Sequence, residues 1–583
     1  DPELSGIAFH VIPELGQDAA DRARLRDADL AIVYIRGKER ALKLAPEVAA
    51  LRARGATVFA VGPTFDADLA AAGFAFDQPL TDYFTAGGRE NLAQMLRAAL
   101  ARKLRPGLAF VPPVSIPESG FFDLRTMRVW TSHADYLAAY LHNRPERRGR
   151  PWVGIHLPRT YIESATTRVV EAAAEALETR GLNVLVAYGP SQEASLRRLF
   201  LDSAGRPRIE ALASLSLKMG FVPEKIIPAL DEIGAPVVNG ISLGAQSRAE
   251  WEASPTGIAV LERSWQVGGP ELVGSIAPTV VAAKERVADD VAGSAYVIQV
   301  PIDERIERFA DRVARWVRLR HAAPAERRVA VLYYNYPPGR ENVGASYLNV
   351  LPGSLWQILQ RLRADGYAPA GAPESPEALF SAVRDFGSNA RANDLADLDR
   401  LVRGGHAVLW PVAAYRKYFD ALPAALRDSI VKKWGEPETA HTMVWRDKEG
   451  RPFFVFPVHR WGNVLYAPQP TRGWEEDVTA SYHDLKLPLH HQYLAFYLWL
   501  QHEFDADAMV HVGRHATHEW QSGKEVGFTA SDPGEVLVGA VPQLYLYIVD
   551  GIGEGLQAKR RGMATIVDHL TPPLDRASLN PEM

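Results

Sequence analysis

The chain contains no cysteine. That absence excludes disulfides, thiolate nucleophiles and Cys-ligated zinc or iron–sulfur clusters, so a metal must be met by His, Asp, Glu or main-chain oxygen. It leaves the compartment open, since cytosolic and exported proteins alike can lack cysteine. No apolar run approaches the roughly 20 residues that a bilayer-spanning helix needs, so no transmembrane segment is expected. A basic excess is missing too: 65 Lys and Arg stand against 70 Asp and Glu, a formal net charge of -5. Nucleic-acid-binding surfaces are normally basic or carry a dense Lys/Arg stripe, so no nucleic-acid partner is expected and a small molecule fits better.

What the chain does have is an ordinary globular balance, 47% hydrophobic and 23% charged. Its 583 residues are too many for one core, and roughly three to five domains are expected. Apolar runs alternate with helical segments, which predicts a multidomain α/β fold of several parallel-sheet lobes arranged around a cleft. In an N-terminal α/β domain, 1–112, strands are expected at Gly6–Ile12, Leu30–Ile35 and Thr57–Val61, with helices over Lys43–Arg54 and from Gly87-Gly88 to Lys103. Pro112-Pro113-Val-Ser-Ile-Pro117 reads as a linker.

A second α/β domain, 118–325, offers strands at Trp152–Leu157, Asn183–Tyr188, Ala213–Leu217 and Pro236–Asn239. Its helices are Ser164–Arg180, closed by Gly181, and the amphipathic Asp303–Arg320. In 326–583 the expected elements are strands Arg328–Tyr334 and Asp507–Val512 and helices Ser354–Asp365, Gln492–Phe504 and Gly553–Thr565. The loop Asn335–Gly344 could present N–H groups to an anion, but it lacks the Lys-Ser/Thr ending of a Walker A loop and the glycine spacing of a dinucleotide fingerprint. Nucleotide binding by this chain is therefore not expected.

Titratable chemistry gathers late in the sequence: eight of the sixteen histidines lie between His483 and His569. The densest stretch is His511-Val-Gly-Arg-His515-Ala-Thr-His518-Glu519-Trp-Gln-Ser-Gly-Lys524, with three imidazoles, a carboxylate and an ammonium within fourteen residues. A packed core rarely tolerates such density unless the groups meet a ligand, a metal or one another. The stretch also follows an expected strand, where α/β sheets usually place their sites. On a helix, His511, His515 and His518 would share one face at i, i+4 and i+7 as a metal triad; in a loop, spacing decides nothing. The plainer reading of each is a histidine that only satisfies buried hydrogen bonds.

Four segments carry a resemblance: Val331-Leu-Tyr-Tyr-Asn-Tyr-Pro-Pro-Gly-Arg340 with Leu359–Tyr367, His490-His-Gln-Tyr-Leu-Ala-Phe-Tyr497, His511–Lys524, and Gly553–Arg561 with Asp568-His-Leu-Thr-Pro-Pro573. Together they resemble the large subunit of cobaltochelatase and magnesium chelatase, the family that inserts a metal into a tetrapyrrole. The earlier half is similar more loosely, through Gly87–Asn91 and Pro270-Glu271-Leu. Against the family's usual His-x-Gly-x-His-Gly-x-Leu-Glu-Trp-Leu-Pro-Gly-Lys, this chain has Ala516 for Gly, His518 for Leu and Gln521-Ser522 for Leu-Pro, while Glu519 and Lys524 remain. Family members run to about twice this length, so 326–583 is expected to be a truncated chelatase-type domain. A first residue of Asp1 carries the further expectation of something upstream, whether a tag, a signal peptide or a disordered leader.

Exchanging a divalent metal with a porphyrin-like ring means moving two pyrrole protons and desolvating the ion, and neutral imidazole and carboxylate suit both tasks. Glu519, with His515 and His518, is therefore the expected catalytic set, and His511, His515 and His518 are the expected metal ligands. Lys524, Lys559, Arg560 and Arg561 are expected to meet ring carboxylates, the ordinary alternative for the last three being a solvated helix face. His490, His491 and Tyr493 complete the expected substrate-binding set. Phe496, Tyr497 and Trp499 could line a flat ring, although an aromatic run on a helix is more often core.

The resemblance implies a tetrapyrrole-binding subunit that inserts a divalent metal, cobalt ahead of iron or magnesium, into a corrin-type or porphyrin ring. ATP would enter only through separate ATPase subunits, and the compartment would be cytoplasmic. Two other readings stand beside it: a haem dechelatase, which could be periplasmic, and a non-catalytic tetrapyrrole-binding protein.

Overall fold

The structure is a computed structural model that describes residues 2–12, 19–62, 65–142, 144–218, 222–289, 294–343, 351–391, 394–472, 484–513, 518–547 and 552–568. Its α/β architecture rests on three parallel-dominated sheets and one small antiparallel sheet. No helix among the described residues is long and apolar enough to cross a membrane.

The first sheet is parallel, with strands β1 (Leu30–Tyr34), β2 (Thr57–Val61) and β3 (Ala75–Phe76) in that order. The β-branched and aromatic residues of β1 and β2 suit a pleated, half-buried surface. Gly6–Ile12 is not a strand: its residues are half or fully exposed and have no buried face to align. Gly87 and Gly88, at φ +61 and +84, precede the helix Arg89–Lys103. A Cβ on Gly87 would lie 2.7 Å from Glu163 Cβ, so only glycine lets the chain pass so close to the helix Arg159–Glu163.

The second sheet contains β4 (Gly120–Asp123), β5 (Arg128–Trp130), β6 (Trp152–Leu157), β7 (Asn183–Tyr188), β8 (Ala211–Ser214), β9 (Val237–Ser242), β10 (Ser275–Asp289) and β11 (Ser294–Pro301). Its order is β11-β10-β9-β8-β6-β7-β4-β5, with β7, β6, β8, β9 and β10 mutually parallel. Strand β8 begins two residues before the expected Ala213, and the antiparallel hairpin β10–β11 carries no helix-crossover signal in sequence. Helix α1 (Asp303–His321) lays Ile306, Phe309, Ala310, Val313 and Val317 onto this sheet, the i, i+3, i+4 spacing of an amphipathic helix.

The third sheet starts with β12 (Val329–Tyr333), followed by helices α2 (Leu351–Ala364) and α3 (Pro376–Phe386). Next comes the antiparallel sheet of β13 (Ala407–Pro411), β14 (Val444–Arg446) and β15 (Pro452–Pro457), ordered β13-β15-β14. Then follow β16 (His459–Trp461), β17 (Val464–Pro468), helix α4 (His491–His502), β18 (Ala508–Gly513), helix α5 (Pro533–Val538), β19 (Gln543–Tyr547), helix α6 (Ile552–Arg561) and β20 (Ala564–Val567). The sheet order is β16-β17-β12-β18-β19-β20, parallel except for β16. The single helix expected over Gly553–Thr565 is instead α6 and then β20, since Thr565-Ile-Val is β-branched and pairs along β19.

Both faces of the third sheet are covered. Leu332, Leu465 and Met509 face α4, which is buried on every side, while Val331, Tyr466 and Val512 face α2 and α3. The segment after the histidine motif straps this sheet to the second. Gly257 and Val526 form a β-bridge, and Trp251 Nε1 donates to Gly527 O at 2.7 Å. From one face of α1, Arg305, Arg308 and Arg312 converge on the buried Glu535 of α5, each at 3.0 Å.

Candidate active site

His511 lies in β18, the strand between β12 and β19, in register with Leu332 and Tyr545. It therefore points to the α4 face, and its ring is buried beside Tyr497 and Tyr545. Gln543 Nε2 donates to Val541 O at 3.0 Å, which leaves Gln543 Oε1 to accept from His511 Nε2 at 3.2 Å. Burial pushes His511 down to about 4, so the ring is neutral near pH 7 and carries its lone pair on Nδ1. That nitrogen has no hydrogen-bond partner among the described residues. The strand ends at Gly513, at φ +139, where a Cβ would come within 2.8 Å of Tyr334 Cβ.

The chain returns at the 3-10 turn His518–Trp520, which packs against α6. The His518 ring sits 5.2 Å from that of His511, nearly perpendicular, and 4.7 Å from Tyr497. A hydrogen-bond chain reaches it. Gln469 Nε2 donates to Tyr497 Oη at 3.3 Å, Tyr497 is hydrogen-bonded to Tyr493, and Tyr493 Oη lies 3.4 Å from His518 Nδ1. Burial, with His511 adding to it, holds His518 well below its ordinary range. The ring is therefore neutral, and its Nε2 has no hydrogen-bond partner among the described residues. One pocket accordingly presents two open imidazole nitrogens side by side.

Glu519, also fully buried, follows His518, and its charge acts on both Tyr497 and Arg561. The Lys559-Arg560-Arg561 run on α6 divides by direction. Arg560 makes a bidentate ion pair with Glu271 at 2.9 and 3.2 Å, bracing α6 against the second-sheet layer. Arg561 is buried and donates to Gln521 O; burial lowers it, while Asp532, Glu525 and Glu519 oppose that shift. Lys559 is half-buried with no ion pair among the described residues.

The remaining expected residues stand apart from the His511–His518 pocket to different degrees. Tyr493 belongs to it, whereas His490 caps α4, accepting from Gln492 N at 3.4 Å and packing against Trp434. Burial lowers His490 to about 3. His491 has both nitrogens engaged, one with Tyr415 Oη at 3.0 Å and one with Gly435 O at 2.9 Å, a satisfied core histidine. Lys524 Nζ donates to Glu252 O at 3.0 Å and Ser254 O at 2.6 Å, tying the motif to the second-sheet layer. His515 lies outside the described residues. Among the described residues no three His, Asp or Glu side chains converge as a ready metal site. Gln543 of β19, bonded to His511, and Gln469, just past β17 and bonded to Tyr497, carry no local sequence signal.

Two open imidazole nitrogens, a buried carboxylate and a buried guanidinium close together can accept protons, ligate a borderline cation in passing and neutralise an acidic group. The profile of the CobN/Magnesium Chelatase family matches residues 81–583, most of the chain. The chain belongs to that family. It is 32% identical over 86% of its length to the aerobic cobaltochelatase subunit CobN of a Sinorhizobium species, covering 38% of that protein. It is 28% identical over 85% of its length to a magnesium-chelatase subunit of Rhodobacter capsulatus, covering 41% of it. Among solved structures, the catalytic subunit of cobaltochelatase from Mycobacterium tuberculosis is similar over 97% of this chain and 46% of that one, with a TM-score of 0.75 and 28% identity. This CobN/Magnesium Chelatase family chain thus spans less than half the length of these relatives.

Proposed function

We propose that this chain is the tetrapyrrole-binding part of a chelatase large subunit that inserts a divalent metal, cobalt first, into a corrin-type or porphyrin ring, with energy from separate ATPase subunits. The observation that carries the reading is the paired His511 and His518, buried with one nitrogen each left open, beside Glu519 and Arg561. Relatives named as cobaltochelatase and magnesium-chelatase subunits support the reaction class.

Insertion removes two pyrrole protons as the ring nitrogens take the ion, so a proton acceptor must sit where the metal enters. Glu519 is assigned to proton removal, and His511 and His518, with His515, to handing over the desolvating ion. The Tyr493 and Tyr497 rings pack on the His518 ring and hold its orientation, which removes a reorganisation step. Arg561 and Lys559 are assigned to the carboxylates of the ring periphery, and residues 326–583 to the chelatase-type domain.

An absorbance titration tests this with protoporphyrin, hydrogenobyrinic acid diamide and haem, comparing the chain with Glu519→Gln. A spectral shift with at least one metal-free ring is expected. Metal uptake, on adding Co2+ and the ATPase subunits, should then fall by about 100-fold in Glu519→Gln. No shift with any ring, or equal uptake by the variant, contradicts the reading. Loss of iron from haem without ATPase subunits would replace insertion by removal.

A further inference from the structure

The five parallel strands of the second sheet run β7-β6-β8-β9-β10 in space. Numbered along the chain, that is the doubly wound order 2-1-3-4-5, in which the crossovers leave β6 in one direction and β8 in the other. In open α/β sheets such a switch point opens a crevice at the carboxyl ends of the strands. Here β6 and β8 pair only at Val153↔Ala211 and Gly154↔Leu212, and part beyond those pairs. This switch point belongs to a different sheet from His511 and His518.

Two buried polar side chains at the place where the strands part have no hydrogen-bond partner among the described residues. His156, near the end of β6, is 1% exposed, and neither ring nitrogen has a hydrogen-bond partner among the described residues. Ser214, at the end of β8, is likewise 1% exposed with no partner for its hydroxyl. Strand alternation sets both on the same face as Leu212, and Ser214 is in register with Asn239 of β9. Just past β8, the buried Lys218 sends its amine to the Asn239 side chain, and to Ser214 O at 3.5 Å. Asn239 is fixed for this role, because its amide donates to Gln266 O at 2.9 Å. Lys218 forms no ion pair among the described residues, and burial lowers it to about 7.

A structural lysine this deep is normally paired with a carboxylate, and a structural histidine normally has at least one nitrogen engaged. Neither condition holds here. We propose that the β6/β8 crevice, walled by His156, Ser214, Asn239 and Lys218, is a second ligand site that encloses an oxyanion group of a small molecule. The bound oxyanion accepts from the Lys218 amine and the Ser214 hydroxyl, while His156 fixes its other side. Lys218 supplies the counter-charge and takes up a proton when the anion enters.

Competitive acylation of the lysines in the whole chain, read by mass spectrometry, tests the proposal in separate arms with inorganic phosphate, acetate and citrate. Protection of Lys218 by about tenfold in at least one arm is expected, with other lysines unchanged. Phosphate alone protecting would identify a phosphorylated ligand, and acetate or citrate alone a carboxylated one. The variant Ser214→Ala should lose that protection while folding normally. Thermal denaturation of Lys218→Met supplies the second reading: a ligand site predicts equal or higher stability without anion and loss of any anion-induced rise. Equal labelling of Lys218 in every arm, or a destabilised Lys218→Met with no anion effect on the parent chain, overturns the proposal.

Discussion

Two buried polar clusters in this protein are built on opposite principles. Along the seam between the second and third sheets, Glu535 receives Arg305, Arg308 and Arg312, and Arg312 also reaches Thr279 Oγ1 at 2.6 Å. Nearby, Asp505 gathers Arg315, Arg318 and Arg328. In the His511–His518 pocket the groups are as deeply buried, yet each imidazole leaves one nitrogen open. Where burial is matched by partners, a polar cluster fastens structure; where it is left unmatched in a native fold, the open groups call for another explanation. The first cluster holds the layers together, and the proposed function assigns the second to a passing ion.

The sharpest way to break that contrast is Glu535→Ala, which strands three guanidinium groups. A loss of about 3–5 kcal/mol is expected in denaturant unfolding, because an uncompensated buried charge is left behind. The carboxyl of Glu535 is held down to about 2 by the three arginines. A depressed carboxylate adds stability that is present above its unfolded value and lost as pH falls toward the folded one, so the seam weakens below roughly pH 4.5.

The pocket has its own acid signature in a different window. His511 is held neutral down to about 4 against an ordinary value of 6.5. Protons therefore favour the unfolded chain as pH falls from 6.5 to 4, withdrawing up to about 3 kcal/mol. The slope of unfolding free energy over this interval should flatten in His511→Gln. An unchanged slope would mean the imidazole is not buried neutral.

Smaller effects sharpen the comparison further. Gly257→Val puts a side chain at φ +88 and against Val526 O, and is expected to cost about 2–3 kcal/mol by loosening the strap. Tyr493→Phe removes the hydroxyl that meets His518 Nδ1 and should cost about 1 kcal/mol in unfolding while shifting that ring's nitrogen NMR signals. The smallest change in stability, within about 1 kcal/mol of zero, is expected for His518→Leu, because that imidazole has little bonding to lose. An equally large loss from His518→Leu and Glu535→Ala would erase the distinction between the clusters.

Long periodic segments were legible in sequence: β1, β6, β7, β12, β18, α1 and α4 fall within two residues of expectation. Errors arose where local pattern is overridden by neighbours. The strand expected at Gly6–Ile12 found no buried face, and α6 gave way to β20 because β19 offered an edge to pair with. The density of the histidine motif was legible, and the approach of His511 to His518 was one of its open geometries. Its supports were not readable: Gln469, Tyr497 and Gln543 reach the pocket from β17's end, α4 and β19. Nor could Lys524 be seen to turn toward Glu252 and Ser254, because that contact spans about half the chain. Side-chain direction in a sheet is fixed by register, and register is a property of the assembled strands.

The most direct test is a titration of the chain with Co2+ followed by visible ligand-field absorption, in wild type, His511→Gln, His518→Leu and the double variant. The expected result is imidazole-type cobalt bands in wild type, with affinity reduced about tenfold or more in each single variant and the bands absent in the double variant. Identical spectra and affinities in wild type and the double variant would show that the two open nitrogens do not serve the metal.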